Sequence, residues 1–100
     1  GDIARALLLL LNGYNKEEPI NIGDTLEISI KELAEKIAIN IGFEGRIIWN
    51  ASMPSGQYRK PSDNSRFLER FNMEYTNFDI TLTNTCKWFI MNYPKVRGIP

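Results

Sequence analysis

The stretch Pro19–Trp49, PINIGDTLEISIKELAEKIAINIGFEGRIIW, decides how the fold is read. Ile20 and Ile22 alternate with Asn21, which predicts a short strand over Pro19–Gly23 with one apolar face. Gly23-Asp24 turns the chain, and Thr25–Ile28 briefly extends it. Ser29-Ile30-Lys31-Glu32 is a capping box, in which hydroxyl and carboxylate satisfy orphan helix amides. Ile30, Leu33, Ala34, Ile37, Ala38 and Ile41 then recur at helical spacing. Lys31, Glu32, Glu35 and Lys36 cover the other side as i,i+4 pairs, and Gly42 ends the helix. Arg46–Trp49 reads as a second strand. Strand, helix and strand joined by tight turns predict a βαβ unit, with two parallel strands and a right-handed crossover. The expected class is α+β: one small domain over residues 1–100, built on that unit and about four helices.

Upstream, Asp2 is placed to cap a helix from Ile3 to about Asn12, stopped by Gly13. Ile3, Leu7, Leu10 and Leu11 form one stripe, and Leu8 and Leu9 fill the other side. A helix apolar all round expects neighbours all round. Two readings fit: a core helix, or a helix whose partner domain is absent and whose face then drives dimerisation. Glu17 and Glu18 are adjacent, so they diverge and read as solvated rather than as an acid–base pair.

Downstream, Trp49–Arg66 (WNASMPSGQYRKPSDNSR) is broken by Pro54, Gly56 and Pro61. Pro54–Gly56 reads as a turn, with Gly56 able to take the positive φ of a type II turn. Tyr58, Arg59 and Lys60 follow on one short loop. Arg offers a planar fork of donors to phosphate or carboxylate oxygens, and Lys adds a point charge. In open parallel sheets ligands gather beyond the strand carboxyl ends, where this loop would emerge. The loop therefore reads as an anion holder. Arg66 and Arg70 either extend its positive patch or form a solvated face. Asp63 or Asn64 caps a short helix over Ser65–Phe71. Residues 72–80 read as irregular, and Thr81 caps a final helix over Leu82–Tyr93, stopped by Pro94. Cys86 on that helix reads as a core residue, and Trp49 as a core anchor or a stacking platform.

Composition narrows the function classes. The 100 residues have 43% apolar and 24% charged content, ordinary for a globular fold. Twelve acids balance twelve bases, so no global field favours nucleic acid or an anionic membrane. The run Leu7–Leu11 is too short to span a bilayer or form a signal segment. There is no histidine, which removes imidazole bases, Ser-His triads and the usual zinc sites. One unpartnered cysteine fits a reducing, cytoplasmic setting. No glycine-rich dinucleotide turn is present: Gly42 and Gly45 are correctly spaced, but Ile48 stands where a third glycine belongs. A chain opening on Gly1 rather than Met reads as an excised piece or as the remnant of a processed tag.

Ala51-Ser52-Met53-Pro54-Ser55-Gly56-Gln57-Tyr58-Arg59-Lys60, followed by Ser62-Asp63-Asn64-Ser65, resembles the substrate-domain loop of the GDP-L-fucose synthases. Asp2–Ala6, Pro19–Gly23, Ile28–Leu33 and Thr85–Phe89 are similar to that family as well. These enzymes are extended short-chain dehydrogenase/reductases. They convert GDP-4-keto-6-deoxy-mannose to GDP-L-fucose by double epimerisation and NADPH reduction. The resemblance implies the carboxyl-terminal, substrate-binding portion of such a fold, without its Rossmann half. It implies a GDP-linked deoxyhexose as ligand, with Ser55, Gly56, Arg59 and Lys60 as substrate-binding residues. NADP(H) would belong to the full-length enzyme and not to this chain. Ser55 departs from the family, which usually has Asp before the loop glycine; a hydroxyl accepts a hydrogen bond but brings no charge. The family's Tyr-x-x-x-Lys is missing too: four residues on from Tyr14, Tyr58, Tyr75 and Tyr93 stand Glu18, Ser62, Asp79 and Arg97. No catalytic residue is expected here. The alternative is a free-standing, non-catalytic α+β module that dimerises through its leucine-rich first helix.

Overall fold

The computed structural model describes residues 1–56 and 62–98. Their regular structure is four helices: α1 (Asp2–Gly13), α2 (Ile30–Ile41), α3 (Ser65–Arg70) and α4 (Phe78–Asn92). The chain divides into two compact units, one of residues 1–27 and 55–75, the other of 28–54 and 76–100.

The expected α+β class, with its βαβ unit and two parallel strands, is overturned. No described residue lies in a strand. The reason is where the backbone hydrogen bonds go. In Pro19–Gly23 they go to side chains: Pro19 O accepts from Arg66 Nη1 at 3.1 Å, and Gly23 N–H donates to the Tyr75 hydroxyl at 3.2 Å. Gly23 O accepts from Asn64 Nδ2. Arg46–Trp49 belongs to the other unit and is exposed throughout, with Ile48 at 80%. Alternation in sequence marks a segment that suits a sheet, but a strand also needs a partner ladder. Trp49, half exposed, is no core anchor, and the argument from strand carboxyl ends falls with the sheet.

In the first unit the centre is Phe67, fully buried with Ala6 and with Met73 beside them. Leu10, Ile20, Ile22, Phe71 and Tyr75 pack around these three. The buried face of α1 is therefore Ala6–Leu10–Gly13, and of the stripe Ile3, Leu7, Leu10 and Leu11 it takes in Leu10 while the others are exposed. Small residues at 6 and 13 let two rings approach: a Cβ on Gly13 would come within 2.9 Å of the Phe71 ring. The Phe67 and Phe71 centroids lie 5.1 Å apart, tilted by 38°. Ile3, Leu7, Leu8 and Leu11 face outward, Leu11 at 80%. Arg5 Nη2 bridges Asp2 Oδ1 at 2.7 Å and Glu74 O at 3.0 Å, tying α1 to the 72–75 segment.

In the second unit α2 packs on α4. α2 has the bounds its sequence predicts. Ser29 Oγ accepts from Glu32 N–H at 3.1 Å, and Gly42, at φ 71°, closes the other end with its N–H on Ala38 O and Ile39 O. Replacing Ser29 by Ala should cost about 1 kcal/mol in a urea denaturation, while Ser29→Asp should be nearly neutral. Leu33, Ala34, Ile37 and Ala38 are half-buried, and Cys86 is buried on α4, as expected of a core thiol. Thr83 Oγ1 donates to Asn40 Oδ1 at 2.8 Å, and Lys36 Nζ meets Asp79 Oδ1 at 2.6 Å. That ion pair is largely exposed and contributes well under the hydrophobic contacts, roughly 0.2–1 kcal/mol. α4 starts earlier than its sequence suggests. Asn77, not Thr81, is the cap, its side chain accepting from Asp79 N and Ile80 N.

Candidate anion-binding loop and its supports

Ser55 and Gly56 lie in the first unit and are exposed. Gly56 does not take the positive φ expected of it, and a Cβ there would meet nothing within 4 Å. Neither turn geometry nor close approach requires glycine at this position. Arg59 and Lys60, the two cations of the expected site, lie outside the described residues, as does Tyr58.

The chain just after the loop is held firmly. Asn21 Nδ2 donates to Asp63 O at 3.2 Å, and Asn64 Nδ2 donates to Gly23 O. Ser62 lies against Gly23, 3.5 Å from a Cβ placed there. Asn64 is 4% exposed, the one buried polar residue of the described set. It was legible only as a cap, and it makes no cap hydrogen bond. The cap role falls to Asp63, whose Oδ1 accepts from Ser65 Oγ at 2.7 Å and Ser65 N at 3.1 Å. These two bonds, the side-chain one foremost, hold the Asp63 carboxyl below its ordinary value.

Arg66 and Arg70 form a solvent-exposed face of α3, and each is also tied to a partner. Arg66 Nη2 pairs with Glu18 Oε2 at 2.7 Å, while its Nη1 holds Pro19 O. Arg70 donates from Nε to Gly13 O at 2.8 Å and lies over the Tyr14 ring, 5.6 Å from its centroid. Glu18 is solvent-exposed, as its sequence reading expects, and is also an ion-pair partner. Tyr14 donates its own proton to Glu18 O at 2.6 Å. Tyr14, Lys16, Ile20, Arg66, Glu69 and Arg70 line an open cleft of about 450 Å³. A second open hollow, about 590 Å³, runs between α1 and the 72–74 segment past Arg5, Leu8, Leu9 and Met73.

No group of three His, Cys, Asp or Glu residues among the described ones could hold a metal ion. No described helix is long and apolar enough to cross a membrane. The starts of α2 and α4 do not fit a dinucleotide cofactor. α2 and α4 open on Ser29 and Asn77, whose side chains already occupy the first-turn amides, and no glycine-rich turn precedes either.

No family model and no solved structure matches the chain. Several curated proteins do. A probable GDP-L-fucose synthase 1 from Oryza sativa subsp. japonica is 35% identical over 91 residues, covering 91% of this chain and 28% of its own length. GDP-L-fucose synthase 1 from Arabidopsis thaliana is 34% identical over the same span. GDP-L-fucose synthase from Escherichia coli (strain K12) is 34% identical over 79 residues, or 79% of this chain. The chain spans less than a third of the length of these relatives. Over nearly all of its own length, then, it is a homologue of the GDP-L-fucose synthases.

Proposed function

We propose that residues 1–100 form the nucleotide-sugar-binding portion of an NADP-dependent epimerase/reductase of the GDP-L-fucose synthase type. The observation that carries this is identity of 30–35% to proteins of that name over at least 91% of the chain. In this reading Arg59, helped by Lys60, holds the diphosphate of a GDP-linked deoxyhexose, and Ser55 and Gly56 wall the sugar. NADP(H) and the acid–base groups come from the remaining length of the enzyme, in the cytoplasm. This chain's share is positioning, which in favourable cases removes about 7–11 kcal/mol of a barrier. The outward leucines of α1 support a neighbour on that face, since each one buried gains about 1.5–3 kcal/mol.

Calorimetric titration with GDP tests the loop. Weak, millimolar binding is expected, reduced about tenfold by Arg59→Ala, the loss of one charge-assisted bidentate contact. No heat at millimolar GDP contradicts it. The same exposed leucines favour a second reading, a non-catalytic module that self-associates through α1. Sedimentation separates the two: a dimer abolished by Leu7→Glu, together with no GDP binding, supports the module.

A further inference from the structure

We propose a second anion site, made of residues other than Ser55, Gly56, Arg59 and Lys60, in the cleft between α3 and the segment of residues 14–20. Its class of ligand is a small phosphate-bearing molecule. Three cationic side chains line it: Lys16, Arg66 and Arg70. Two of them are fixed beforehand. Arg66 is clamped by Pro19 O and Glu18, and Arg70 by Gly13 O and the face of Tyr14. Groups already ordered by the fold lose little freedom when a ligand arrives.

Those clamps leave donors over. Arg66 spends Nη1 and Nη2, and Arg70 spends Nε and Nη2. Arg66 Nε, Arg70 Nη1 and the Lys16 ammonium make no hydrogen bond or ion pair with a described residue. Guanidinium donors and an ammonium around one hollow match the oxygens of a phosphate group. Two carboxylates oppose it: Glu69 lines the cleft, and Glu18 holds Arg66. The Glu18 pair is exposed on both sides, so solvent already weakens it and a multivalent anion can compete. The cleft is of a size that small ligands occupy, which is about 300–1,000 Å³.

The test is titration of the 100-residue chain carrying Arg59→Ala with inorganic pyrophosphate, following the Nε–H signals of Arg66 and Arg70. The Arg59→Ala background removes the loop's contribution. Saturable shifts of both signals are expected in the millimolar range. Lys16→Gln should weaken them at least threefold; Lys16 has no hydrogen-bond or ion-pair partner among the described residues, so its loss should leave their fold intact. Glu18→Gln, which removes the competitor for Arg66, should tighten them by a similar factor. Absence of shifts, or shifts indifferent to Lys16→Gln, overturns the proposal. The outcome is independent of the loop: GDP binding lost in Arg59→Ala with a silent cleft sinks only this site.

Discussion

Phe67→Ala is expected to remove about 3–5 kcal/mol of stability, the cost of an aromatic-sized cavity at a site that cannot collapse. Phe67 is the one large side chain of the described set with no exposure at all. Its ring is wedged against Ala6 and Met73 and tilted onto Phe71. The neighbours that could fill the void are anchored. Gly13 already touches Phe71, and Arg70 pins Gly13 O. Domains have only about 5–15 kcal/mol in total, so this change should remove a large share of the stability of the unit formed by residues 1–27 and 55–75. Urea denaturation followed by far-ultraviolet circular dichroism measures it. A loss below 1 kcal/mol would mean that Phe67 is not the centre of this unit.

Asn64→Leu should cost about 1–3 kcal/mol, the penalty for leaving a half-buried acceptor unmatched. The acceptor is Gly23 O, and Asn64 is the buried donor that reaches it. Leucine keeps the volume and removes the donor, which separates the hydrogen bond from packing. The Gly23 N–H, donated to the Tyr75 hydroxyl, should then exchange faster with solvent. The same change loosens residues 62–64 from residues 21–23, and with them the end of the proposed ligand loop. An unchanged midpoint and unchanged Gly23 protection would show that this anchor carries nothing.

How much of this was legible depends on how local each cause is. α2 was readable at both ends because Ser29 and Gly42 act within one turn of the helix. The start of α4 was missed because Asn77 caps through an Asx contact two and three residues on, while Thr81 offered a more familiar signal. Arg66 and Arg70 could not be placed, since their partners Glu18, Pro19 and Gly13 lie at least 47 residues away. The strands fail for a related reason. Ile20-Asn21-Ile22 and Ile47-Ile48-Trp49 show the apolarity that a sheet rewards, and nothing in either supplies the ladder. For α1 the all-round apolar pattern does not say which face is buried: Ala6 and Gly13 fit against aromatic rings, which turns Leu7, Leu8 and Leu11 outward. Within the candidate site, Ser55 and Gly56 stand exposed, and the deciding residues, Arg59 and Lys60, fall outside the described set.

The most direct test of the loop's role is amide chemical-shift mapping of the isotope-labelled chain against GDP at millimolar concentration. The largest shifts are expected at Ser55, at Gly56 and through residues 57–60, and are lost in Arg59→Ala. Shifts confined to other parts of the chain, or a loop that does not respond to GDP at all, would contradict it.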